Sequence, residues 1–459
     1  MSELLILGAS VITMDPQRRI ITDGAVYVRD GLIQAVGRAN DLRASHPGID
    51  VLGDSTTIVH PGLVNAHLHL TVDRLLRSAI PDDLPPGDSI FQWAVPAHAH
   101  VTPEDDEISA LLAALDAQRN GVTTVLDAGT VAHTAAVAVA LGTLGMRGFV
   151  GTWGWDADGV PFGGSPAEVL ERQLEVVTRW SSHDRTALVR GAVTMVGHDL
   201  VSDDLLAAGV AMAADHGTVC TFHISPHGRD AESYLERTGV RPLVHFERIG
   251  ALGRQVVLGH AVHLDDGELE AVLRTETAVA SCPLAYLRLG QGFAPANRHT
   301  ELWRRGGRLA LGTDSENAGD SLDLLRVAAT FAGLAKDVPM DPTAFGAHDV
   351  LELVTIGGAE VLGIADLVGS IEVGKRADLV VHRTDQPSWQ PVSPDPVLPL
   401  VWSAQGTTTH HVVTDGRVVV RDGRSTLVDE IELFQRATTA GRALAERAGL
   451  PIGAKWPLV

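Results

Sequence analysis

The chain has 459 residues, 45% of them apolar and 20% charged, enough to bury a sizeable core and more than one average domain requires. Its 36 Lys and Arg stand against 57 Asp and Glu, a formal charge of −21. That balance argues against a nucleic-acid binder, which needs a basic patch, and against docking on anionic lipid. No apolar stretch reaches membrane-span length; 134–145 comes nearest and is far too short. The N-terminal segment has no basic region ahead of its apolar run, so no signal peptide is expected. Two cysteines, Cys220 and Cys282, cannot form a disulfide framework and point to a reducing cytoplasm.

Residues 1–60 read as short strands, with a hairpin turning at Asp30-Gly31 between 24–29 and 32–37. The same strand, Asp-Gly, strand pattern returns at 412–423, after another strand at 376–382. Both chain ends are therefore expected to build one small β-sandwich domain, from 1–60 and 366–427. Between them, 61–365 alternates β-rich runs with amphipathic helices at 103–119, 166–180, 202–216 and 321–335. Repeated β–α units over that length predict an α/β fold, a (β/α)8 barrel. A doubly wound sheet is the alternative, but no GxGxxG follows any strand. A last helix and tail occupy 428–459. The irregular stretch 81–100 is too long for an ordinary loop and is expected over the barrel mouth.

The strongest chemical signal is His67-Leu-His69 at a strand end. Residues i and i+2 of a strand share a face, so both imidazoles can approach one metal ion. His223, His260 and Asp314 close three further apolar runs. Each lies at the C-terminal end of a predicted strand, where barrel active sites sit.

These motifs resemble the amidohydrolase superfamily. The branch is that of cytosine deaminase, the methylthioadenosine and guanine deaminases and the triazine hydrolases. The resemblance runs from Pro61-Gly-Leu-Val-Asn-Ala-His-Leu-His69 through Gly121-Val-Thr-Thr-Val, 257–266 and Gly312-Thr-Asp314 to Gly374-Lys-Arg-Ala-Asp-Leu-Val380. It implies that His67, His69, His223 and Asp314 hold one divalent metal, with zinc first and iron, cobalt or manganese acceptable to the same donors. It implies that His260 contacts the bound water or substrate, and that Asp314 takes the proton of the attacking water. Binuclear relatives bridge two metals with a carbamylated lysine. The only barrel lysine, Lys336, falls at a helix end, so a lysine-bridged pair is excluded. A cytoplasmic homo-oligomer acting on a small molecule is expected.

The chain departs from the branch in one decisive place. Deaminases there carry His-x-x-Glu on the fifth strand, the glutamate moving a proton to the substrate ring. Here the segment reads His223-Ile-Ser-Pro226-His227. Proline cannot transfer a proton, whereas metal-assisted attack on a carbonyl needs no ring nitrogen protonated. His227, His260 or returned water would then protonate the leaving group. Pro283-Leu-Ala-Tyr286 replaces a polar substrate segment, and Val196 stands where relatives often place a histidine, with His198 nearby. Tyr286, Gln92, Trp93 and Trp155 are candidate substrate contacts; Trp93 could instead anchor the mouth loop. The second His-x-His, His98-Ala-His100, lies in a loop or short helix and is not expected to hold metal. Cys220 reads as a buried strand residue. The expected activity is hydrolysis at the carbonyl of an apolar urea, carbamate, thiocarbamate or amide, as in the phenylurea and thiocarbamate hydrolases. The alternatives are an aminohydrolase or chlorohydrolase of a heteroaromatic ring, and a non-catalytic metal-binding barrel.

Overall fold

The computed structural model describes residues 3–77, 79–85, 87–404 and 406–458. Five strands open the chain: β1 (Glu3–Ile12), β2 (Ile20–Arg29), β3 (Leu32–Arg38), β4 (Asp50–Leu52) and β5 (Thr57–Pro61). Nine barrel strands follow: β6 (Leu63–Leu68), β7 (Val122–Asp127), β8 (Arg147–Val150), β9 (Val189–Gly191), β10 (Val193–Gly197), β11 (Cys220–Ile224), β12 (Val256–His260), β13 (Ala278–Ser281) and β14 (Arg308–Leu311). The chain returns to the first sheet with β15 (Leu379–Arg383), β16 (Thr409–Thr414), β17 (Arg417–Arg421) and β18 (Arg424–Ser425).

The expected β-sandwich is built from one continuous nine-stranded sheet, ordered β18-β17-β16-β15-β5-β1-β2-β3 with β4 on β1. Strand β5 joins the two chain ends, parallel to β1 and antiparallel to β15. Its core mixes both ends: Ile6, Val26 and Val59 pack with Leu379, Val381 and Val413. The hairpins turn where the sequence places Asp-Gly. Asp30 and Gly31 have φ of 52° and 80°, and Asp415 and Gly416 have 53° and 76°. A two-residue turn that matches strand twist needs positive φ at both positions, which Asp and Gly tolerate.

The barrel strands run parallel in two arcs, β6-β7-β8-β9 and β10-β11-β12-β13-β14. Strands β9 and β10 are separated only by Ala192 and act as one staggered fourth strand. The other side closes where Leu68 bridges Asp314 in parallel. Asn65 clamps this seam, donating to Thr313 Oγ1 at 2.8 Å and accepting the Thr313 N–H at 3.2 Å. Helices cover the barrel at Pro103–Arg119, Pro166–Arg179, Asp203–Asp215 and Leu324–Asp337. The first two begin with capping boxes, Thr102 with Asp105 and Ser165 with Glu168, which satisfy the leading N–H groups. The barrel is fixed to the sheet by a fully buried ion pair, Arg147 to Asp378, with both contacts at 3.1 Å. The stretch at 81–100, read as irregular, contains two helical turns, Ser89–Ala94 and Val95–His98. No helix among the described residues is long and apolar enough to cross a membrane.

Candidate metal centre

Four strand ends deliver the chemistry. His67 lies in β6 with His69 just beyond it, His223 lies in β11, His260 ends β12, and Asp314 follows β14. All five are buried. One Asp314 oxygen stands 3.8 Å from His67 Nε2 and 3.5 Å from His69 Nε2; the other stands 3.9 Å from His260 Nδ1. His69 Nε2 and His223 Nε2 face each other at 3.3 Å. The backbone is bent to achieve this. His260 and Asp314 have φ of 81° and 61°, conformations that cost energy for residues with side chains. Two glycines make room for His67. A Cβ at Gly259 would lie 2.7 Å from its ring, and one at Gly312 would lie 2.6 Å from its carbonyl oxygen.

The nitrogens are oriented from behind. His223 Nδ1 meets the Val196 carbonyl at 2.7 Å, so it carries the proton and leaves Nε2 a lone pair. His69 Nδ1 meets Thr130 Oγ1 at 2.8 Å, and the Thr130 carbonyl accepts from Thr71. His67 has no partner at either nitrogen, and His260 Nδ1 has none. Buried polar atoms are rarely left so, and converging lone pairs repel unless a cation lies between them. His67, His69 and His223 present ligand atoms within 4.8 Å of one another, as do His67, His260, Cys282 and Asp314. Buried imidazoles and one carboxylate are donors suited to a single divalent ion. Burial opposes the Asp314 charge, yet His69, His260 and His67 hold its carboxyl well below the usual range. Burial pushes His67 and His223 well below the usual imidazole range and His260 to about 4, which keeps them neutral, as ligands must be, whereas at His69 the neighbouring Asp314 carboxylate outweighs burial and lifts the imidazole to about 9.

The other candidate residues fall out as follows. His227 is half-buried, and its Nδ1 accepts the Arg229 N–H at 3.2 Å. Tyr286 is buried edge-on against His260, with its hydroxyl accepting the Cys282 N–H at 2.8 Å, so it backs that histidine. Trp155 is buried and donates to the Pro161 carbonyl at 2.8 Å, stacked on Trp153 at 4.7 Å. On the mouth turn, Gln92 is exposed and Trp93 half-buried. Cys220 is buried in β11, its thiol pushed up to about 12 by burial. Lys336 sits in the last turn of a helix with its ammonium over Trp402, away from any strand end. Two residues with no sequence signal of partnership meet beside the cluster. His198, just past β10, stacks on His223 at 6.0 Å and contacts Asp230 Oδ2 through Nδ1 at 2.8 Å. The same Asp230 oxygen accepts the Ser225 N–H at 2.6 Å. Burial opposes the Asp230 charge, but His198 and the Ser225 N–H hold its carboxyl below the ordinary range.

Residues 58–419 match the Amidohydrolase family. The chain belongs to that family. Residues 24–48 also match the imidazolonepropionase-like composite domain of bacteria, within the terminal sheet. This amidohydrolase is 34% identical over 444 residues to a 5-methylthioadenosine/S-adenosylhomocysteine deaminase of Syntrophobacter fumaroxidans, covering 96% of this chain and 98% of that one. A protein of the same name from Haloarcula marismortui is 32% identical over 458 residues, covering 98% and 100%. An adenosine deaminase from Xanthomonas campestris with bound zinc superposes with a TM-score of 0.90 at 27% identity, over 97% and 99% of the two chains. Atrazine chlorohydrolase from Arthrobacter aurescens complexed with zinc gives 0.86 at 25%, over 95% and 100%. The chain is a metal-dependent hydrolase of carbon–nitrogen bonds, and its buried His and Asp cluster suits one zinc-like ion.

Proposed function

We propose that this amidohydrolase removes an amino group from a ring carbon of a nitrogen heteroaromatic compound, of the purine type. His67, His69, His223 and Asp314 hold one divalent ion. When bound, that ion supplies Lewis acidity and makes water a nucleophile at neutral pH. The observation that carries the ring-directed reading is the His198–Asp230 pair beside His223. Water addition to a ring C=N bond needs a proton delivered to the ring nitrogen. Pro226 cannot deliver it, and His227 has Nδ1 committed to the Arg229 backbone N–H. His198 can: Asp230 fixes its Nδ1–H, which aims the chemistry at Nε2, and the carboxylate stabilises the imidazolium. Asp314 accepts the proton of the attacking water, neutral His260 orients that water, and the proton passes on until ammonia leaves. The relatives named as deaminases support this reading. The expectation of carbonyl attack on a phenylurea or thiocarbamate, which rested on proline standing at 226 in place of a glutamate, gives way to the ring-directed alternative, because the relatives are named as deaminases and an atrazine chlorohydrolase.

The test is product analysis of zinc-supplied enzyme offered adenosine-type nucleosides, guanine, cytosine, aminotriazines and N-aryl ureas. Ammonia released from a ring is expected. His198→Gln should lower kcat by roughly 10²–10⁴-fold with zinc content unchanged, and Asp230→Asn by less. Aniline or amine released from the ureas, with the rings untouched, would overturn the proposal and restore the carbonyl reading.

A further inference from the structure

A second group of ligand-type side chains lies in the terminal sheet, remote in sequence from the strand-end cluster. His410, His411 and Asp422 each present one ligand atom, all within 4.8 Å of one another. Consecutive residues of a regular strand point to opposite faces, so two adjacent histidines should not share a ligand. Here the ladder is broken. Val381 pairs with His411 and His382 pairs with Thr409, which leaves His410 without a partner across the strand. Such a bulge turns the extra residue toward its neighbour's side. The two rings accordingly lie 4.0 Å apart. The turn between β17 and β18 supplies the third donor. Asp422 takes φ of 52° there, and the Gly423 N–H donates to the His410 carbonyl at 2.9 Å, which holds the turn against β16. Asp422 Oδ1 reaches His410 Nε2 at 3.3 Å.

Of the carboxylates around the two imidazoles, Asp422 acts on both most strongly, and the other charges nearly balance. Asp54 and Asp385 add negative potential at His410, and Asp50 adds it at His411. The two nearby guanidinium groups are committed elsewhere, Arg383 to Asp385 at 2.8 Å and Arg421 to Asp50 at 3.1 Å. Both imidazoles are held below their ordinary range by burial first. His411 Nδ1 accepts the Asp422 backbone N–H at 3.3 Å, a long hydrogen bond that ties the β17–β18 turn to His411 and that a cation bound through this nitrogen would replace.

We propose that His410, His411 and Asp422 form a second divalent-metal site, for a borderline ion such as zinc, completed by water. The ion ties the bulge of β16 to the β17–β18 turn. It thereby clips the edge of the terminal sheet, where β18 has only two residues. The site plays no part in turnover.

Equilibrium dialysis of the full-length enzyme against micromolar zinc, followed by metal counting, tests this. Wild type should hold two zinc ions per chain. His410→Ala/His411→Ala should hold one, with turnover unchanged. Asp422→Asn changes an exposed turn residue and keeps a side chain that tolerates positive φ, so it decides the matter should the double variant fold poorly. It too should lose the second ion. His67→Ala should lose the other ion and keep this one. One zinc per chain in wild type would overturn the proposal, as would two in a folded His410→Ala/His411→Ala or Asp422→Asn variant.

Discussion

Among the buried histidines of the described residues, two sets are finished in opposite ways. At the barrel mouth, His67 has two unpartnered nitrogens, and His69 and His223 aim Nε2 at each other. Behind the barrel, where β5 meets β15, His60 and His382 leave nothing unpaired. His60 Nδ1 donates to the Pro61 carbonyl at 2.7 Å, His60 Nε2 meets His382 Nε2 at 3.0 Å, and His382 Nδ1 meets Thr408 Oγ1 at 3.0 Å. One tautomer of each ring satisfies the whole chain of bonds: His382 donates to His60 and accepts from Thr408. Burial depresses the basicity of His67 and His223 as it does that of His60 and His382; at His69 burial is outweighed by Asp314, which lifts the imidazole to about 9. Depth and low basicity therefore do not mark a metal centre. Converging lone pairs without donors do.

The largest expected effects separate these two sets directly. His67→Ala should remove the zinc-like ion and lower kcat/KM by at least roughly a thousandfold, about 4 kcal/mol of transition-state stabilisation. His382→Leu should leave metal content and kcat/KM unchanged. It should cost about 1–3 kcal/mol of folding stability instead, because His60 Nε2 is left buried without its donor. Metal analysis, steady-state kinetics and urea unfolding of the two variants read this out. Loss of metal in His382→Leu would erase the distinction.

A smaller effect probes how the mouth set is aimed. Thr130 touches no ligand atom at the centre; it holds the far nitrogen of His69. Thr130→Val keeps the volume and removes the hydroxyl. It should weaken metal affinity by about 10–100-fold while leaving the unfolding midpoint of the metal-free protein nearly unchanged. A competition assay with a zinc chelator measures it, and an unchanged affinity would mean that Thr130 does not fix the ring.

How far the sequence alone reaches follows from the same chemistry. The barrel was legible because each of its β–α units carries its own period, and the Asp-Gly pairs announced the terminal hairpins. The five centre residues were legible because a strand end followed by His or Asp is a local pattern. The His198–Asp230 pair was not, since its members lie 32 residues apart and meet only once β10 and the helix that follows β11, Arg229–Thr238, are in place. Position 226 read as a lost function because a motif records which residue is missing and not which distant one stands in. Trp155 and Tyr286 were read as substrate contacts since an aromatic beside a strand end looks the same in sequence whether it lines a pocket or packs behind one. In the structure both have their polar atoms committed to backbone groups. His60 and His382 carried no signal, because their pairing depends on β5 lying beside β15.

The smallest expected effect concerns acid stability, and its sign can be derived. His60 titrates at about 4 in the folded chain, pushed down by burial, against an ordinary imidazole value of 6.5. Between these values the unfolded chain holds more protons than the folded one, so stability rises with pH across that window. The contribution of His60 is fully present above pH 6.5 and is lost progressively as pH falls toward 4. The slope is at most about 1.4 kcal/mol per pH unit for one such group. Protons also compete with metal at the barrel mouth, which adds acid sensitivity of its own. The two sources separate in the metal-free protein, compared with its His60→Leu/His382→Leu variant by urea unfolding at several pH values. The variant should keep the wild-type slope above pH 6.5 and show a flatter one below it. Equal slopes below pH 6.5 would mean that the seam pair does not stay neutral in the fold, and the contrast between the two buried sets would then rest on hydrogen bonding alone.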